Sequence, residues 1–288
     1  MSWWQAIFLG ALQGVTEFLP VSSSGHLVLA QHFFQITEAD SAKELFFDGV
    51  LHLGTLLAVL AYFGRELRDQ TRHFLGRGTV PAPDQEQAAA WPRTWKELLH
   101  LGLLVALATL PAALLSLWKS DWIKESFKRP EPVAVNLMII GAILLFTDKL
   151  PHGTTVGPAT RWWQVLLIGL AQGCSALFRG LSRSGMTIAT ALLVGLDRHW
   201  AVRFSFLMSV VASLGLGGLG ILKALRDPLR DQWLTGEFLG LTLLALAVSA
   251  VTAYLTITPL IRLVQRARLW WFTVYLWVLG LSVLLARS

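Results

Sequence analysis

Six stretches of this chain stay apolar long enough to cross a lipid bilayer: Leu45–Phe63, Leu98–Trp118, Val133–Thr147, Phe204–Leu222, Phe238–Thr258 and Leu269–Ala286. No feature of the sequence restricts the fold more. Hydrocarbon offers no water to unpaired backbone groups, so a spanning segment must satisfy its own N–H and C=O groups, and a helix does so. About 20 apolar residues cover the hydrocarbon thickness. Val133–Thr147 is short by that measure and is interrupted by Gly141. Charged residues make up only 15% of the chain, against about 25% in soluble domains. The mean hydropathy of +0.56 and the 13 Trp, a residue that favours the membrane boundary, agree. The expected class is an all-α polytopic membrane protein with about six full transmembrane helices, built as a single integral membrane domain over 1–288.

Two more apolar blocks are too short to cross. Trp3–Val15 runs into Thr16, Glu17, Pro20 and a serine run, and Trp162–Cys174 runs into Arg179, Gly180 and Ser182–Gly185. Each resumes briefly, as Leu27–Phe34 and Ile188–Leu196. Pairs of half-helices that enter and leave on one face have this pattern. The two blocks also match each other. Trp3-Trp4-Gln5 aligns with Trp162-Trp163-Gln164, Gly10 with Gly169, Gln13 with Gln172 and Gly14 with Gly173. After a one-residue shift, Ser22-Ser23-Ser24-Gly25 aligns with Ser182-Arg183-Ser184-Gly185. Three crossings separate the copies, so the second enters from the opposite side. The expectation is an inverted-topology repeat, about 1–147 and 160–288, whose two re-entrant hairpins meet near the midplane.

The net charge of +6 does not point to nucleic acid, because the cations are spread through the connections with no basic stripe. They fall unequally on two faces. Arg65, Arg68, Arg72, Arg77, Arg93, Lys96, Lys149, Arg161, Arg198, Arg203, Arg262, Arg266 and Arg268 belong to one. Lys43, Lys119, Lys124, Lys128, Arg129, Lys223, Arg226, Arg230 and Arg287 belong to the other. The richer face is expected to be cytoplasmic, with both termini outside and 64–97 as a cytoplasmic loop. The N-terminus lacks the basic start of a cleavable signal and reads as mature protein. Cys174 is the only cysteine, which excludes an intrachain disulfide and a thiolate metal cage.

Polar residues inside the broken segments carry the chemistry. Glu17 lies one turn beyond Gln13, on the same helical face. A carboxylate at membrane depth costs roughly 2.5–3.5 kcal/mol on insertion scales, which calls for a partner, a cavity or a function. Pro20 stops the first half-helix. Ser22, Ser23 and Ser24 then suit a helix start, where free N–H groups bind phosphate. His26 follows at helical spacing, so that Ser23 and His26 form a minimal activated nucleophile, unless the serines only cap the helix. In the second copy Arg183 stands between Ser182 and Ser184, with Thr187 one turn on. A guanidinium grips phosphate in two places, or it pairs with Glu17 as a lock. Together these residues fit phosphoryl transfer, in which positioning and charge neutralisation do most of the work. Asp48 and His52 share a face of the next helix, either as a supporting pair or as an interfacial Asp and a pore-facing His. His32, His73, His100, His152 and His199 show no metal-ligand spacing, although a carboxylate beside a phosphate could recruit Mg²⁺ or Ca²⁺.

At these residues the chain resembles the bacterial undecaprenyl-diphosphate phosphatase family of the bacitracin-resistance type. Gln13-Gly-Val-Thr-Glu17-Phe-Leu-Pro20-Val-Ser-Ser23-Ser-Gly-His26 is similar to its first signature, and Gly180-Leu-Ser182-Arg183-Ser184-Gly185-Met-Thr187 to its second. Phe47-Asp48 through His52-Leu-Gly-Thr55 resembles a further stretch, and the likeness covers essentially the whole chain. The resemblance implies hydrolysis of a C55 polyprenyl diphosphate lipid to the monophosphate in the bacterial plasma membrane, at a site open to the outer face. This would recycle the carrier for cell-wall synthesis. By the same resemblance Ser23 is the nucleophile or a phosphate-contacting hydroxyl, and His26 the general base or acid. Arg183, Ser182, Ser184 and Thr187 hold the diphosphate, and Glu17 with Gln13 orients a hydroxyl, water or metal ion. Ser22 and Ser24 join the substrate-binding set. The family usually carries proline where Arg179 stands, so Arg179 is either an added phosphate ligand or the mark of altered activity. A secondary transporter or lipid flippase on the same inverted repeat is the alternative, although transport does not require Ser23 beside His26.

Overall fold

The computed structural model describes residues 1–35, 41–77, 92–117 and 129–286. The expectations for Lys119, Lys124, Lys128 and Arg287, for Trp118, and for the middle of the 64–97 connection lie outside these residues.

The described residues are helical apart from connections and one isolated bridge between Thr155 and Leu196. The first broken segment is α1 (Trp3–Thr16) and α2 (Ser23–Phe33), followed by α3 (Ser41–Tyr62) and a short amphipathic α4 (Gly64–Phe74). Next come α5 (Trp95–Leu117) and α6 (Pro130–Thr147). The second broken segment is α7 (Trp162–Leu177) and α8 (Arg183–Leu193). It leads into α9 (Arg198–Ala212), which continues through a π turn (Ser213–Gly217) into α10 (Gly218–Leu225). After α11 (Arg230–Trp233), the chain ends with α12 (Gly236–Gln265) and α13 (Trp270–Leu285).

Among the described residues five helices are long and apolar enough to cross a membrane: α3, α5, α6, α9 continued through α10, and α12. The chain is therefore a multi-pass membrane protein. The sixth expected span is shorter than anticipated, since α13 has only 16 residues. Asp148 Oδ2 accepts from the N–H of Trp270 at 2.8 Å and fixes where that helix begins. The short block at Val133–Thr147 gains a turn, because Pro130 takes the first helical position, where its missing N–H is not needed. The fourth span also starts earlier than its apolar pattern. Asp197 caps it by accepting from the N–H groups of His199 and Trp200.

The two broken segments pack in a crossed fashion. Helix α1 lies against α12, α7 lies against α5, and α6 packs on α13. Gly10 of α1 meets the carbonyl of Ala245, and Gly169 of α7 meets the carbonyl of Ala108. A glycine at each crossing lets two backbones approach, as small residues do between membrane helices. Gly10→Val and Gly169→Val are each expected to lower stability by about 2 kcal/mol, within the usual range for overpacking, as measured by unfolding in detergent. Between these crossings the core is closed by Leu137, Ile140, Leu144, Ile168, Ile188 and Trp200, all fully buried.

Two of the cations assigned to one face, Arg198 and Arg203, have partners at or beyond the ends of the long helices. Arg203 pairs with Glu66 at 3.3 Å, Arg198 donates to the carbonyls of Leu150 and Val264, and Gln265 meets His199. Lys43, over the ring of Phe238, lies at the opposite end, where Phe46 packs with Trp233.

Candidate active site

The tips of the two broken segments touch, and each is shaped by its own sequence. In the first, Glu17 ends α1 with its N–H bonded to Gln13 O. Proline at position 20 disfavours a helical Leu19. Ser22 then takes a left-handed φ of 71°, a conformation costing about 1–3 kcal/mol for a non-glycine residue. Its own groups offset that strain. The Ser22 hydroxyl accepts from the N–H of Gly25 at 3.2 Å, and its carbonyl accepts from the N–H of His26 at 3.1 Å. In the second segment Gly180 supplies the left-handed residue, with φ 99°, a region open to glycine without strain. Ser182 repeats the cap, accepting from the N–H of Gly185 at 3.1 Å. Both helix starts therefore use the aligned serine in the same way.

Glu17 joins the two tips. Its carboxylate is 3% exposed and accepts from Gln13 Nε2 at 2.8 Å, from Ser23 Oγ at 2.7 Å and from Arg183 Nη2 at 2.5 Å. Ser184 Oγ adds a second link by donating to the carbonyl of Leu19 at 2.8 Å. The copies have also divided their chemistry. The alignment that pairs Gln13 with Gln172 puts Ala176 opposite Glu17, and after the shift Arg183 stands opposite Ser23 and Met186 opposite His26. One carboxylate thus binds both the hydroxyl of one copy and the guanidinium of the other. Arg183 is 20% exposed, and its Nη1 has no hydrogen-bond partner among the described residues.

His52 belongs to the same cluster. Its Nδ1 lies 3.2 Å from Gln13 Nε2, an amide that can only donate, and 3.6 Å from Glu17 Oε1. The π turn brings Gly217 against Gly49 and the base of His52, and this packing sets where α3 presents the ring. The sequence left His52 as either the partner of Asp48 or a pore-facing ring; the structure places its Nδ1 beside Gln13 and Glu17. Asp48 Oδ1 is buried without a hydrogen-bond partner among the described residues.

The other expected residues divide. Ser24 Oγ lies 3.4 Å from Ser22 Oγ, and Ser182 Oγ lies 3.1 Å from Ser184 Oγ. Thr187 uses its hydroxyl on the Arg183 carbonyl at 2.9 Å and on Ser205 at 2.8 Å, within the helix packing. Arg179 is half-buried. Its carbonyl accepts from Asn136 Nδ2 at 2.8 Å, and its charge is within reach of Asp48. One expectation needs correcting: Ser23 and His26 are not hydrogen-bonded to each other. The Ser23 proton goes to the charged and stronger acceptor, Glu17. His26 is held by the Ser22 carbonyl at Nδ1, 2.8 Å, and by the Tyr275 hydroxyl at Nε2, 2.7 Å.

Tyr275 was not anticipated. Its only signal in the sequence is that it is one of three Tyr, set in a run of indoles and aliphatics. Among the described residues no three His, Cys, Asp or Glu side chains gather to hold a metal ion.

The chain matches the model of the family described as bacitracin resistance protein BacA over residues 6–282. The chain belongs to the bacitracin resistance protein BacA family. It is 38% identical over 284 residues to the undecaprenyl-diphosphatase of Alcanivorax borkumensis, covering 99% of this chain and 98% of that protein. It is 35% identical over 290 residues to the undecaprenyl-diphosphatase of Desulfatibacillum aliphaticivorans, covering 100% and 99%. A third undecaprenyl-diphosphatase, from Desulfosudis oleivorans, is 38% identical over 289 residues, with 96% and 95% covered. The BacA family is a bacterial membrane family, in keeping with the apolar helices, and the resemblance carried by the two signature stretches holds along the chain.

Proposed function

We propose that this BacA-family protein hydrolyses undecaprenyl diphosphate to the monophosphate and phosphate. It thereby recycles the lipid carrier of cell-wall synthesis and confers bacitracin resistance. The observation that carries this reading is the convergence of Arg183, Ser23 and Glu17 where two capped helix starts meet inside a membrane bundle. The terminal phosphate of the lipid is bound by Arg183 and by first-turn amides, which lack intrahelical partners. Attack on that phosphorus, by Ser23 Oγ or by a water beside it, breaks the P–O bond to the inner phosphate. The lipid monophosphate then leaves; where Ser23 attacked, water hydrolyses the resulting phosphoserine, which frees phosphate and restores the hydroxyl. Glu17 orients the attacking hydroxyl, and His26 takes its proton at Nε2 once the Tyr275 hydroxyl has given up that nitrogen. Gln13, Ser22, Ser24, Ser182 and Ser184 shape the cradle, and Thr187 steadies the turn that carries Arg183.

Phosphate release from farnesyl or undecaprenyl diphosphate by purified protein in detergent tests the proposal. Ser23→Ala and His26→Ala are each expected to lose at least about a hundredfold, the lower end for a positioned acid or base. Near-parent turnover by both variants would sink the assignment, and a parent that binds the lipid without releasing phosphate would favour transport. His52→Ala removes one hydrogen bond to Gln13, worth about 1 kcal/mol, and is expected to slow turnover about fivefold. Arg179→Ala is expected to raise KM several-fold and leave kcat nearly unchanged, since the nearby guanidinium serves as an added phosphate ligand.

The crossed packing of α1 on α12 and α7 on α5, together with the matched caps, supports an inverted repeat with two re-entrant hairpins. The crowding of Arg198, Arg203 and their partners at one end supports placing that end in the cytoplasm. Both termini and the site's opening then lie outside. In a variant lacking Cys174, labelling of single cysteines at the exposed positions 226 and 231 by an impermeant reagent on intact cells is expected to succeed, and at position 65 to fail.

A further inference from the structure

His26 is almost fully buried and has two hydrogen-bond partners of different kinds. The Ser22 carbonyl can only accept, so Nδ1, 2.8 Å away, must carry the ring proton. This assignment leaves the lone pair on Nε2 in the neutral ring. The group facing that lone pair is the phenol of Tyr275 at 2.7 Å, and its O–H is the donor. The two ring planes lie within 10° of each other. The imidazole is therefore held at both ends, in one plane and one tautomer.

Tyr275 is itself fixed. Two residues before it, Thr273 Oγ donates to the Gly141 carbonyl at 2.7 Å, and two residues after it Trp277 Nε1 donates to the Met138 carbonyl at 3.0 Å. Both bonds pin α13 to α6, which also packs against α2 and α8. The phenol is 46% exposed, so its ring adds little to the core. What it contributes to the buried site is the hydroxyl.

We propose that Tyr275 is a positioning residue for the phosphatase reaction: its hydroxyl keeps His26 neutral at Nε2 and aims that nitrogen until a substrate arrives. The inference rests on the reading of His26 as the group that handles the nucleophile's proton. Because Nδ1 is tied to Ser22, every proton His26 takes or gives passes through Nε2, and Tyr275 determines where Nε2 sits beforehand. With diphosphate in place the nucleophile's O–H replaces the phenol at Nε2. The nucleophile's proton moves to Nε2 as its oxygen bonds to phosphorus, while the Tyr275 hydroxyl turns to water.

The test compares kcat and KM for farnesyl diphosphate among the parent, Tyr275→Phe, His26→Ala and the double variant. Tyr275→Phe keeps the ring and removes one oxygen. It is expected to lower kcat about tenfold, the scale of one lost hydrogen bond in the transition state, with KM within twofold of the parent. Tyr275→Leu, which also lacks the hydroxyl, is expected to show the same kcat loss. The double variant is expected to be no slower than His26→Ala, since without an imidazole the phenol has nothing to aim. A parent-like or faster kcat in Tyr275→Phe overturns the inference, and so does a further tenfold loss in the double variant. His26→Ala turning over at the parent rate would overturn the reading of His26 itself. An inactive His26→Ala beside a fully active Tyr275→Phe would overturn only the role of Tyr275.

Discussion

Arg183→Ala is expected to cut phosphate release by about a thousandfold, the upper end of what one preorganised donor supplies to a developing anion. The same change is expected to destabilise the protein by about 3 kcal/mol, because it leaves the buried Glu17 carboxylate without its cation. Both effects follow from one contact, the 2.5 Å bond from Arg183 Nη2 to Glu17 Oε1. Nη2 serves the carboxylate, while Nη1 is buried with no hydrogen-bond partner among the described residues; in the proposed reaction it is the donor left for phosphate. Arg183→Lys keeps the charge and loses the fork, so it is expected to recover most of the stability and little of the turnover. Assay and unfolding in the same detergent separate the two. If Arg183→Lys regained full turnover, a point charge would suffice and the forked contact would have no catalytic share.

Glu17→Gln is the second large effect, expected at about a hundredfold in turnover on the scale of a positioned acid–base group. The variant has nearly the shape of the parent, but Arg183 becomes a half-buried cation facing an amide. Removing one member of a buried pair is costly, whereas replacing both by neutral groups is often close to neutral. The double variant Glu17→Gln with Arg183→Gln is therefore expected to be more stable than Glu17→Gln alone and equally inactive. That split would assign the pair two roles, holding the tips together and binding the substrate. A double variant no more stable than the single one would show that the tips are held by other contacts, such as Ser184 on the Leu19 carbonyl.

Much of the fold could be read from the sequence because a bilayer permits so few solutions. The long apolar blocks became helices, and the breaks fell where Pro20 and Gly180 put them. Helix ends were harder to read, since they depend on contacts that periodicity does not encode. Asp197 extended the fourth span backward, and Asp148 limited α13 from 122 residues away. The site was legible where repeat and spacing agreed. Gln13 and Glu17 share a helical face, and Arg183 reaches them across 166 positions. The Ser23 and His26 pairing was misread because spacing along a helix says nothing about competing acceptors. Glu17 and Tyr275 took those hydrogen bonds instead, and Tyr275 comes from a helix 249 positions away.

The glycine crossings also bear on how this protein assembles. The first helix of each broken segment packs on a helix from the other part of the chain, α1 on α12 and α7 on α5, so under the proposed repeat neither half contains the surface that its own broken segment needs. A gene cut between 147 and 160 should give two fragments that are degraded when made alone and recover activity when made together. During synthesis, α1 must wait without its docking helix until nearly the whole polypeptide has been inserted.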